Sequence, residues 1–142
     1  MHRTTVALLS VIILAALSIV ALAQGRGAGP GSPKYDVKTE ATLTGTIEEV
    51  QQQPCMGRRN GTHLTLKTQS ETVEVCVGPA TYVQKRGFSF AKGEQVEVIG
   101  SRVKVSGRDV VVARQVTKGN QVLTLRDAQG IPAWSGGRRR NN

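Results

Sequence analysis

His63-Leu-Thr-Leu-Lys-Thr68 and Glu71-Thr-Val-Glu-Val-Cys-Val77 are two alternating runs parted only by Gln69-Ser70. Apolar residues alternating with polar ones mark strands with one buried face, and two residues suffice to turn a hairpin. With Thr68 opposite Glu71, Leu64 faces Val75 and Leu66 faces Val73 on one side. On the other side His63 faces Cys76, Thr65 faces Glu74 and Lys67 faces Thr72. A slip of one residue would mix apolar with polar on both faces, so this register is favoured.

Strand patterns continue on both sides of the hairpin. Upstream, Thr42–Val50 alternates, with Leu43 and Ile47 on one face. Gly45 inside that run predicts a bend or bulge, and the phase change at Val50 fits a coiled strand. Gln51–Gly61 reads as a loop, because Pro54, Gly57, Asn60 and Gly61 all break regular structure. Downstream, Gly78–Gly87 predicts one or two helical turns, with Pro79 at the start, Gly87 at the end and Tyr82 or Val83 facing the core. Phe88 and Phe90 are expected to pack nearby. Gln95–Val105, Asp109–Val116 and Gln121–Arg126 are three further strands. Trp134, after Pro132, is expected to fold back as a lid on an open barrel end, with an exposed partner anchor as the alternative.

The order is long bent strand, hairpin, short helix, second hairpin. It predicts an all-β protein: a small five- to six-stranded OB-fold-like Greek-key barrel with one short helix. A small SH3-like barrel or another β-sandwich also answers to the pattern.

The chain ends set the compartment. Arg3 precedes an apolar stretch, Val6–Ala23, that closes on Ala21-Leu-Ala23. That is the form of a secretory signal peptide, residues 1–23, cut before Gln24. Retention as a membrane anchor is the alternative, because the stretch is near the shortest that spans a bilayer. Cleavage leaves a chain with no membrane span, periplasmic or secreted. Residues 24–39 read as a flexible Gly/Pro-rich leader, 40–134 as the OB-fold-like domain, and 135–142 as a disordered basic tail holding Arg138, Arg139 and Arg140. The formal charge of +9 favours anionic partners.

Several pieces carry a family resemblance: Ala41-Thr-Leu-Thr-Gly-Thr-Ile47, Val77-Gly-Pro-Ala80, Phe90-Ala-Lys-Gly-Glu94, Gly100-Ser-Arg-Val103, Thr124-Leu-Arg-Asp127 and Trp134-Ser-Gly136. With Lys92–Ser101, which is similar to the fourth strand of many bacterial OB domains, they resemble the periplasmic bacterial OB-fold group. They also resemble the domain shared by the magnetosome proteins MamS and MamX. The resemblance implies a fold and a compartment rather than a reaction. The Cys-x-x-Cys-His haem motif of MamX is absent: Cys55 precedes Met-Gly-Arg and Cys76 precedes Val-Gly-Pro.

Cys55, His63 and Cys76 form the one constellation with chemistry. His63 faces Cys76 on what reads as the outer polar face, and Cys55 lies in the preceding loop. Three readings stand: a structural disulfide between Cys55 and Cys76, a copper(I) or zinc site of two thiolates and one imidazole with Met56 in reach, or an exchanging dithiol. The candidate ligand surface comprises Arg58, Arg59, His63, Thr65, Lys67 and Glu74, with Cys76 beside it. Nucleic acid fits poorly, because this face lacks the aromatic platforms that single-strand binders use. No nucleophile, phosphate-loop or zinc-hydrolase motif occurs.

The expected protein is therefore a monomeric, non-catalytic exported module without a cofactor, binding a protein or an anionic ligand. A metal-binding or redox-linked module using Cys55, His63 and Cys76 is the alternative. Intact mass of the exported chain is expected to correspond to a start at Gln24; a mass retaining residues 1–23 would make the apolar stretch an anchor.

Overall fold

The computed structural model describes residues 35–55 and 60–135. The apolar N-terminal stretch, Met56, Arg58, Arg59 and the arginine-rich tail lie outside the described residues.

Six strands run β1 (Glu40–Pro54), β2 (Asn60–Lys67), β3 (Thr72–Pro79), β4 (Gln95–Val105), β5 (Arg108–Lys118) and β6 (Gln121–Thr124). One helix, α1 (Ala80–Lys85), lies between β3 and β4. Neighbours order as β3-β2-β1-β4-β5-β6, and a further parallel pairing of β3 with β5 closes the ring. Five strands thus form a closed barrel of OB-fold topology, in which β1 serves both halves by pairing β2 and β4. The edge of β5 is divided. Val110–Val112 pair with β3, and Gln115–Lys118 pair with β6.

The β2–β3 hairpin has the expected register from His63↔Cys76 to Lys67↔Thr72. Leu64, Leu66 and Val75 are fully buried in the core with Ile47, Val98, Val111 and Val116. Each such side chain stabilises the fold by about 1.5–3 kcal/mol. At one end Val83 of α1 and Phe88 fill the core, and Gly87 ends the helix with φ +66°. Trp134 packs against Tyr82, ring centroids 5.3 Å apart, as a lid.

Three expectations are corrected. The bulge in β1 lies at Glu48, where its register against β2 shifts, while its pairing with β4 runs through Gly45 without a shift. The bulge explains why Val50 is out of phase with Ile47. Gly45 answers a different need: a Cβ there would collide with the Lys67 carbonyl group. The loop expected over Gln51–Gly61 is shorter, because β1 pairs with β2 as far as Pro54↔Asn60. Regular structure also precedes Glu40. Val37–Thr39 of the expected leader form a short 3-10 turn, capped by the Asp36 carboxylate, which accepts the Lys38 N–H at 2.9 Å.

Tyr35 donates its hydroxyl to Glu40, which also takes two bonds from Arg114 at 2.8 and 2.9 Å. Arg114 holds the Glu40 carboxyl below its usual range. Burial, with Glu40 beside it, pushes the Tyr35 phenol up to about 12. Arg126 is buried, and desolvation lowers its pKa. Its guanidinium donates to the Gly130 carbonyl at 3.0 Å and lies 5.8 Å from the Tyr35 ring and 5.2 Å from that of Trp134. Tyr35 and the lid thereby pack against one cation.

Gly45→Ala is expected to lower unfolding stability by about 1–3 kcal/mol, the cost of overpacking a site without room. Chemical denaturation checks it, and an unchanged midpoint would mean that β1 and β2 can part at that point.

Candidate functional site

The barrel's outer face over β1, β2 and β3 carries the candidate site. Pairing sets Gln51 against His63 on one flank, and Cys76 against His63 on the other. Thr65 lies opposite Glu74, one pair further along. The parallel pairing of Glu74 with Val110 brings Arg108 alongside. A row of contacts results: His63 Nδ1 lies 3.0 Å from Glu74 Oε1, and Glu74 Oε2 lies 3.3 Å from Arg108 Nη1. The imidazole contact is close but not aligned as a hydrogen bond, and Nε2 has no partner among the described residues.

Cys55 and Cys76 form a disulfide with Cα atoms 5.5 Å apart, an ordinary span for one. It ties the end of β1 to the strand that closes the barrel. A Cβ at Gly61 would sit 3.0 Å from Cys55 Sγ, so the bare backbone there leaves room for the bridge. With Val110 and the half-buried Val105, the bridge forms a second, small apolar cluster on the outside of the barrel. His63 and Cys76 were expected on an exposed polar face. They are instead 5% and 2% exposed, Cys76 as a member of this cluster and His63 paired beside it. The two sulfurs and an imidazole nitrogen all lie within 4.8 Å of one another.

The structure separates the candidate residues. His63, Thr65 and Glu74 line one cleft of about 350 Å³ with Gln51, Gln53 and Arg108. Lys67 lies elsewhere. It is exposed, reaches Glu48 at 4.0 Å, and borders a separate depression of about 670 Å³ beside the β2–β3 turn. Arg58 and Arg59 lie outside the described residues. Among the described residues no aromatic side chain lines the cleft. Gln51 and Gln53 escaped the sequence reading because they were assigned to a loop. Arg108 escaped because its approach depends on a parallel pairing between distant strands.

The positive charge is segregated. Of 19 Lys and Arg, 11 fall in the described residues, against all 10 Asp and Glu. The described barrel is therefore close to neutral, and most of its cations are paired: Lys67 with Glu48, Arg102 with Glu71, Lys104 with Asp109, Arg108 with Glu74, Arg114 with Glu40 and Lys118 with Glu94.

Residues 39–123 match the family model described as the MamS/MamX magnetosome protein family, and the chain belongs to that family. No curated protein matches it.

Replacing both cysteines by serine frees a loop with a sequence separation of 21. The expected loss is about 3 kcal/mol, out of a total of about 5–15 kcal/mol for such a domain. Thermal denaturation of the double variant is expected to show a folded but less stable barrel. An unchanged melting temperature would mean that the bridge constrains nothing that the strands do not already hold.

Proposed function

We propose that this member of the MamS/MamX family is an exported, non-catalytic binding module whose partner seats on the outer face of β1, β2 and β3. The cleft of about 350 Å³ is the observation that carries the reading. It brings two amides, an imidazole, two hydroxyls, a carboxylate and a guanidinium to the face that OB-folds use for ligands. Such a mixed donor and acceptor set suits recognition of a polar protein surface, and needs no cofactor.

Attraction for an acidic partner falls to Arg58 and Arg59, since Lys67 and Arg108 are already paired on the barrel. These two arginines follow Cys55 closely in the sequence, and Cys55 is bridged to Cys76 beside the cleft. The partner class to test first is an acidic protein of the magnetosome, the setting that the family's description names. The compartment is the periplasm or the exterior, following the apolar segment that ends at Ala23.

Heparin serves as an anionic probe for the mature monomer. Two released counterions correspond to about a tenfold fall in affinity between about 50 and 200 mM salt. The wild type is expected to show at least that fall. Arg58→Ala with Arg59→Ala is expected to lose most of the binding, and Lys67→Ala little. Salt-insensitive binding, or an unaffected double variant, would remove the anionic partner from this reading.

A further inference from the structure

His63 is an anomaly that the binding surface does not explain. Its side chain is 6% exposed, and neither ring nitrogen has an aligned hydrogen-bond partner. A buried polar atom left without a partner costs about 1–3 kcal/mol, so an orphaned imidazole calls for a reason. Its surroundings supply one. The two sulfurs of Cys55 and Cys76 lie within 4.8 Å of an imidazole nitrogen and of one another. Glu74 Oε1 sits 3.0 Å from Nδ1. A small turn of the ring would align that contact, and a carboxylate so placed orients a metal-binding histidine and leaves the other nitrogen free. Nε2 is that nitrogen.

We infer that the disulfide is the closed state of a thiophilic metal site, in which Cys55, Cys76 and His63 Nε2 bind one zinc(II) or copper(I) ion once the bridge is reduced. The opening step is thiol–disulfide exchange with a dithiol protein reductant. The reductant's two thiols become a disulfide. The Cys55–Cys76 bond breaks, and each sulfur gains an electron and a proton. Metal binding then displaces both thiol protons to solvent, and the thiolates with the imidazole supply two sulfur ligands and one nitrogen. Two features accommodate the opened state. The Thr62 carbonyl oxygen lies 3.5 Å from Cys55 Sγ and can accept the S–H of the reduced cysteine. The glycine at position 61 leaves space beside the same sulfur. The inference goes beyond the partner-binding reading and does not depend on it, since the ion needs neither Arg58 nor Arg59.

The test uses the mature chain, oxidised or reduced by a phosphine under anaerobic conditions, titrated with zinc(II) or copper(I) against a chromophoric chelator. The reduced form is expected to bind one equivalent of at least one of the two metals, and the oxidised form none. The metal bound names the ion. Glu74→Ala is expected to weaken binding by about 10–100-fold, and His63→Ala to weaken it by more. Cobalt(II) added to the reduced wild type gives a readout without any variant: a sulfur-to-cobalt charge-transfer band with intense tetrahedral d–d bands. Equal metal binding by both redox forms, no binding by the reduced form, or a cobalt complex lacking thiolate bands would overturn the site. Unchanged affinity in a folded His63→Ala variant would reduce it to a plain dithiol and overturn the role given to the imidazole.

Discussion

Three residue pairs, Glu74↔Val110, Val75↔Val111 and Cys76↔Val112, join β3 to β5 in parallel and close the barrel. Much else depends on this short contact. It sets Val75 and Val111 side by side in the core, and it brings Arg108 to Glu74. It also occupies the first half of the β5 edge, which leaves β6 only the second half. The pairing is non-local, spanning α1, β4 and the turn before β5, so its loop-closure entropy must be met before the contact contributes anything. The Cys55–Cys76 bridge holds one member of this seam to β1. It therefore restrains β3 where the late-forming contact needs it.

The polar groups divide into two kinds. Most charges of the barrel are neutralised locally at the surface, where exposed pairs contribute little to stability. Glu40 differs, because it collects Tyr35 and Arg114 and so links the N-terminal turn to β5. His63 differs in the opposite sense, being enclosed next to sulfur and a carboxylate without a satisfied nitrogen. In a low-dielectric setting such groups are expensive. Three of the four buried side-chain polar atoms without a partner among the described residues belong to His63 and Glu74, and the fourth is Arg126 Nε.

The fold was largely legible because its cues are local. Alternation in Leu64-Thr-Leu66 and Val73-Glu-Val75 specified the hairpin register, and Pro79 and Gly87 bracketed α1. Sequence patterns failed where tertiary approach decides. Gly45 looked like a bulge and is a close-approach site. Tyr35 looked like leader and is anchored by Glu40. The candidate site was half legible. Opposing His63 to Cys76 followed from the register, but the burial of Cys76 did not, since it depends on Cys55 and Val110 packing with it from other strands. Lys67 shares the strand and its outer side with Thr65, yet the length of the strand carries it out of the cleft.

Trp134 is the sole tryptophan of the chain. Its indole rests over Gly78, where no side chain intervenes, beside Tyr82 and the Arg126 guanidinium. Gly78 pairs with Thr62 of β2, next to His63 in the chain. The protein therefore carries its own optical reporter: emission from one fluorophore, excited directly or by energy transfer from Tyr82, follows the docking of the lid. Because the same β2–β3 ladder carries His63 and Cys76, that emission is positioned to sense the state of the sulfur cluster without any added label.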